Sequence, residues 1–168
     1  MSTPSELRPV GFDFLESAPV RGELRQAIPA STTQTFRVFE DAEAWPVWLD
    51  AIKSVTWTSP QPFGVGTTRD IQTPGGTVSE TFFAWEPGER MSFYFSAGGP
   101  PGLKAFVEDW QLEPVGAESC TLIWSWGFEL GGPAKVAQPL VNALFTRMGK
   151  KSMRNLAEYM RTEKSKYF

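Results

Sequence analysis

The sequence predicts an α+β domain in which an antiparallel sheet of about seven strands packs on one long C-terminal helix. Three observations predict it. Apolar and polar residues recur with a helical period from Pro133 to about Lys164. Upstream, segments of alternating character follow one another across short Gly/Pro turns. Two short helical stretches separate the first of these segments from the others. A lone amphipathic helix and a one-sided sheet have only each other to bury against.

Residues 1–17 show no clear period and read as a loosely held lead-in arm, with Phe12, Phe14 and Leu15 available to tack it down. Residues 18–168 read as a single domain. Val20 to Ile28 alternates, with Val20, Gly22, Leu24 and Ile28 opposite Arg21, Glu23 and Arg25, a strand with one wet side. Pro29 ends it. Ser31 with Gln34 three residues later fits a capping box, and Phe36, Val38 and Phe39 anchor the helix that follows. A second short helix is expected from Asp41 to about Asp50, with Pro46 early enough to be tolerated.

Ile52 to Thr58, Thr67 to Thr73, Thr77 to Glu86, Arg90 to Ala97, Ala105 to Glu113 and Ser119 to Leu130 complete the strands. Pro74-Gly75-Gly76 and Pro87-Gly88 make tight turns between neighbours, so the order is that of an antiparallel meander. Gly64 and Gly66 are not a phosphate loop, because no Gly-Lys-Ser/Thr ending and no helix follow them.

In the last helix, steps of about 100° per residue place Ala137, Val141, Leu144, Phe145, Met148, Ser152, Leu156 and Tyr159 on one side. Arg147, Lys150, Lys151, Arg154, Glu158 and Arg161 fall on the other. That basic stripe reads as a solvated face or as a contact for an anionic membrane or a partner. Pro139 suits the first turn. Gly149 and Ser152, in mid-helix, either let a backbone come close or leave space for a ligand.

The 168 residues suit one domain with a sizeable core, and 41% hydrophobic with 21% charged residues is ordinary for a globular protein. Seven Trp and thirteen Phe against three Tyr is not, and suits the lining of an apolar pocket as well as a core. Net charge is −3, so no field favours nucleic acid. With no His and a lone Cys120, His-dependent triads and cysteine metal clusters are excluded. Neither a metal nor a cofactor is expected. No run approaches a membrane span, and a cytoplasmic protein without stable membrane insertion is the default.

Several pieces together resemble the START-like (Bet v 1-like) superfamily, in its polyketide cyclase/dehydrase and lipid-transport branch. They are Ile28-Pro29-Ala30-Ser31, Val38-Phe39-Glu40-Asp41, Trp45-Pro46-Val47-Trp48, Gly64-Val65-Gly66-Thr67-Thr68-Arg69, Ala84-Trp85-Glu86-Pro87-Gly88-Glu89-Arg90 and Leu112-Glu113-Pro114. The resemblance implies a helix-grip fold, a curved sheet wrapped around the C-terminal helix with a cavity between them for lipids, sterols or polyketides. Each piece is turn chemistry or packing, so the set identifies a fold better than a reaction.

Expected ligand contacts in such a cavity are Trp45 and Trp48 from the short helices, Phe82, Phe93, Phe106, Trp110 and Trp124 from the sheet, and Leu144, Phe145 and Met148 from the helix. Strand parity adds three polar residues. Arg69 shares a face with Ile71, Glu80 with Val78 and Phe82, and Glu108 with Phe106 and Trp110. If those faces point inward, a buried carboxylate needs a partner, and Arg69 with Glu80 or Glu108 supplies one. The opposite facing would leave both acids in solvent, and Phe82-Phe83 keeps it open. Three functions follow: a binding protein for an apolar small molecule or lipid, a cyclase/dehydratase-type enzyme using Glu108, Arg69 and Glu80, or a protein-interaction module.

Overall fold

A computed structural model describes residues 5–168, so the first four residues of the expected lead-in lie outside the described residues. The chain runs α1 (Phe12–Ser17), β1 (Val20–Ile28), α2 (Thr32–Glu40), α3 (Trp45–Trp48) and β2 (Ser54–Trp57). Then come β3 (Thr68–Thr73), β4 (Gly76–Glu86), β5 (Arg90–Ala97), β6 (Leu103–Gly116) and β7 (Ser119–Leu130). A 3-10 turn (Gly132–Ala137) leads into α4 (Gln138–Glu163). The seven strands form one curved antiparallel sheet in the order β1-β7-β6-β5-β4-β3-β2. Pairing shifts between Ser79 and Glu80, Phe82 and Ala84, and Leu103 and Ala105 mark bulges, which bend strands and let a sheet wrap a helix.

Strand β4 shows the sheet's one-sidedness most clearly, since Val78, Glu80, Phe82 and Ala84 are buried and the residues between them are not. On β7, Leu122, Trp124, Trp126 and Phe128 share the inner face. The capping box of α2 forms as the sequence predicts, with Gln34 N–H donating to Ser31 Oγ and the Ser31 N–H donating back to Gln34 Oε1. The second short helix is shorter than expected. Asp41 Oδ1 accepts from the Glu43 N–H in a local turn, so regular helix starts only at Trp45, with Pro46 in its first turn, where a missing N–H is tolerated. Strand β2 is likewise trimmed at its start, where the Ile52 N–H turns back to Leu49 O.

Residues 5–17 are held more firmly than their lack of period suggests. Leu7 is buried and donates to Ser96 O, Gly98 donates to Ser5 O, and Glu6 bridges Ala97. Helix α1 then crosses the outer face of the sheet. Gly127 on β7 has no side chain, and a Cβ there would sit 2.9 Å from Ala18 Cβ and 3.4 Å from Val107 Cγ1. Phe12 packs edge-on to Phe83, and the Arg90 guanidinium lies 4.1 Å from the Phe12 ring centre. Arg90 also grips Asp109 through two 2.8 Å hydrogen bonds, joined by Ser92 and Gln111.

The buried side of α4 is Gly149, Ser152, Met153, Leu156, Ala157 and Met160. Its first half is only partly covered. Val141, Phe145 and Met148 face inward, but Leu144 is 58% exposed and is not a core or cavity residue. It stands about 100° around the helix from Phe145, on the flank. Gly149 decides between the two readings of the small residues, because a Cβ there would lie 2.8 Å from Leu24 Cδ1 and 3.1 Å from Trp124 Cζ3. Close approach to β1 and β7, not free space, is its use.

Candidate functional site

Between the inner face of the sheet and the first half of α4 lies a cavity of about 420 Å³. Its wall is aromatic. Trp110 and Trp124 stack with ring centres 4.4 Å apart, and Phe145 meets Trp124 edge-on at 5.4 Å. Phe93 and Phe95 continue the wall along β5, and Met148 closes it from the helix. The rim comes from loops, with Leu49 and Ile52 on one side, Gly75 and Gly76 of the β3–β4 hairpin on another, and Pro100 and Pro101 on a third.

Three polar side chains share this cavity, brought there by sheet pairing. Arg69 on β3 stands directly opposite Glu80 on β4, and its Nε donates to Glu80 Oε2 at 2.5 Å with both side chains buried. Four aromatic rings enclose the guanidinium, Trp45 at 4.3 Å and Trp57, Phe82 and Phe93 at 5.1–5.3 Å from their centres. Arg69 Nη1 has no hydrogen-bond acceptor among the described residues, and the ring faces take its place. Burial pushes the Glu80 carboxyl up, while the charge and hydrogen bond of Arg69 pull it back.

Glu108 on β6 is opposite Phe93 on β5 and Trp126 on β7. The Trp110 indole N–H donates to its Oε2 at 2.7 Å. Burial, and then the nearby Glu80, push this carboxyl up to about 8 against the pull of Trp110, Arg69 and Trp124. At neutral pH it is therefore chiefly the neutral acid. Trp124 Nε1 lies near it but outside hydrogen-bonding geometry, and has no hydrogen-bond partner among the described residues. The site offers one aromatic-clamped ion pair and one neutral carboxylic acid on an otherwise apolar surface. Cys120 lies elsewhere, buried against Thr35 Oγ1.

Of the residues the sequence singled out, Arg69, Glu80, Glu108, Trp45, Phe93, Trp110, Trp124, Phe145 and Met148 line this cavity. Trp48, Phe82 and Phe106 do not. Trp48 packs behind Trp45, Phe82 between Phe93 and Trp57, and Phe106 flat on Phe95, so each supports the wall from behind. Leu144 points outside. Sequence reasoning missed Leu49, Ile52, Phe95 and the loop residues. Phe95 was within reach of strand parity, two residues on from Phe93, but nothing in a lone sequence places loop prolines over a cavity.

A family profile for polyketide cyclase/dehydrase and lipid transport matches residues 19–161, from the start of β1's approach to the last turns of α4. The chain belongs to the polyketide cyclase/dehydrase and lipid transport family. Within this family's reach, an uncharacterized protein of Mycobacterium tuberculosis is 39% identical over 155 residues, covering 89% of this chain and 90% of its own. An uncharacterized protein of Mycobacterium bovis matches to the same extent. A START superfamily protein from Mycobacterium smegmatis has the same fold, with a TM-score of 0.71 at 16% identity over 84% of this chain and 97% of its own. The Zhui aromatase/cyclase from Streptomyces sp. R1128 gives 0.70 at 11% identity, covering 86% and 96%. Those likenesses show a shared fold, a helix-grip architecture of curved antiparallel sheet and long C-terminal helix. No helix of the described residues is long and apolar enough to cross a membrane.

Proposed function

We propose that the protein binds an apolar small molecule or lipid in the cavity between sheet and α4, and does not transform it. The observation that carries this reading is the cavity itself, about 420 Å³ walled by Trp110, Trp124, Phe93 and Phe145. That size falls within the roughly 300–1,000 Å³ typical of small-molecule sites. The apolar body of a ligand lies against the stacked indoles, and any oxygen it carries turns to the Arg69–Glu80–Glu108 side. Native mass spectrometry of freshly purified protein tests the reading directly, and should show a retained apolar ligand. Titration with Nile red should change Trp fluorescence saturably and raise the melting temperature, since a ligand selective for the folded state stabilises it by mass action. Met148→Trp, which fills the cavity, should weaken that binding. No thermal shift across a broad apolar library would sink it.

A second reading is a cyclase/dehydratase-type enzyme, and one observation favours it. A carboxylic acid held up to about 8 in an apolar site is a proton donor matched to neutral pH. Glu108 would protonate a substrate oxygen while the cavity holds the chain folded. Turnover of a cyclising polyketide-like substrate that collapses in Glu108→Gln, with binding intact, would establish it.

A further inference from the structure

The exposed side of the C-terminal helical segment has two distinct halves. Val136, Leu140 and Leu144 recur every four residues and are 89%, 63% and 58% exposed, an aliphatic ridge where a solvated face should be polar. The same side continues into Arg147, Lys150, Lys151 and Arg154, all exposed. From Gly131 to Ala157 there is not one Asp or Glu, in a chain whose net charge is −3. Lys151 pairs with Asp50, but among the described residues Arg147, Lys150 and Arg154 make no salt bridge.

The ridge also has a definite position. Phe145 and Met148 of the same helix turns wall the cavity from the inside. The β5–β6 loop, which carries the exposed rim residues Pro100 and Pro101, sits against the 3-10 turn, where a Cβ on Gly102 would come 2.6 Å from Ala134 Cβ. Apolar ridge and cavity rim therefore border each other.

We propose that this ridge docks the protein reversibly on an anionic lipid bilayer. Val136, Leu140 and Leu144 dip into the headgroup boundary, and Arg147, Lys150 and Arg154 meet lipid phosphates. An aliphatic row flanked by cations is the pattern of helices that lie at the interface. Three aliphatic side chains on a convex helix offer far less than the roughly 800 Å² per partner of a stable protein–protein contact. A fluid surface closes around a convex ridge and adds attraction with each cation. Docking in this pose brings the rim to the membrane, and a ligand of the kind proposed above then passes between bilayer and cavity without crossing water.

Vesicle flotation of the full chain tests this, with phosphatidylcholine alone and with phosphatidylcholine mixed with phosphatidylglycerol. Wild type should float with the mixed vesicles and release as salt is raised. Leu140→Asp/Leu144→Asp should lower the bound fraction about tenfold, and Arg147→Glu/Lys150→Glu/Arg154→Glu should remove the preference for phosphatidylglycerol. Melting temperatures should stay at the wild-type value, because every substituted side chain is exposed. Wild type failing to float with the mixed vesicles overturns the proposal, as does flotation that neither variant reduces. A concentration-dependent mass increase without vesicles, abolished by Leu140→Asp/Leu144→Asp, would assign the ridge to a second copy instead. Nile red binding without vesicles, which should be unchanged in both variants, separates a failure of docking from a failure of the cavity reading.

Discussion

The guanidinium carbon of Arg69 lies 4.3 Å from the centre of the Trp45 ring, so a charge from the sheet is roofed by an indole from the short helix α3. Beneath that roof it holds Glu80. Arg69→Met removes one partner of a buried pair and should cost about 3–5 kcal/mol, read as a fall in the urea midpoint. Arg69→Met/Glu80→Leu should regain most of the loss, because no unpaired charge remains. Arg69→Lys should not rescue fully, since an ammonium cannot lie flat on the indole. Equal midpoints for the single and double variants would show that the pair is not coupled.

Glu108 sets a pH dependence with a definite sign. Its carboxyl is raised to about 8 from 4.5, so the folded chain keeps the proton longer than the unfolded one. The stability it supports is complete below 4.5 and is lost as pH rises towards 8, where the folded form ionises too. Glu80, also raised by burial, adds a slope of the same sign, and because it is coupled to Glu108 that slope eases when the Glu108 charge is removed. Glu108→Gln should therefore gain on wild type between pH 5 and pH 9, by more than about 1 kcal/mol. Parallel stability curves would mean that the carboxyl is ionised in the folded state.

Gly149 should show opposite behaviour with small and branched replacements. Alanine gains up to about 1 kcal/mol of helix propensity and offsets it by nudging Leu24, so little net change is expected. Valine adds branches towards Trp124 and should cost about 1–3 kcal/mol through overpacking. Because Trp124 is cavity wall, Gly149→Val should also weaken Nile red binding. Thermal melts beside a fluorescence titration would reveal whether both effects appear together.

Two apolar residues of α4 should respond very differently to the same charge. Leu144→Asp alters an exposed flank and should change stability by no more than about 0.5 kcal/mol. Met153→Asp buries a carboxylate beneath the sheet and should cost several kcal/mol or prevent folding. Similar urea midpoints for the two would contradict the helix orientation described here.

Much of this was legible in the residues. Strands β1, β5 and β7 were read to the residue. Strand β2 was expected longer, from Ile52 to Thr58, than the Ser54–Trp57 observed. Strand β6 was expected shorter, from Ala105 to Glu113, than the observed Leu103–Gly116, because it is buried on both faces and does not alternate. Strand parity put Arg69, Glu80 and Glu108 each beside apolar neighbours, but it left open whether those faces point inward and which acid Arg69 holds, and the pairing of β3 with β4 sets Glu80 opposite Arg69. Facing inward does not say whether a side chain meets empty space or another side chain, which is why Trp48, Phe82 and Phe106 were expected in the cavity. The helical period was right for Phe145 and Met148, but its assumed arc was too wide at Leu144. Helix α1 escaped notice because six residues carry no period. Its trace was the outer face of β6 and β7, where Val107 and Gly127 are as apolar as the inner face.

Strand β1 pairs with β7 along its whole length, from Val20 opposite Phe128 to Ile28 opposite Cys120. During synthesis, then, β1 leaves the ribosome long before the strand that completes it. The meander from β3 to β7 can zip up between neighbours as it emerges, but β1 waits for a partner made almost last, and α4 comes later still. Non-local closure of this kind is slow. Until it happens, the aromatic face that will become core and cavity wall is uncovered, which is the state in which nascent chains associate wrongly. The protein's most vulnerable moment is thus the interval between making its first strand and its last helix.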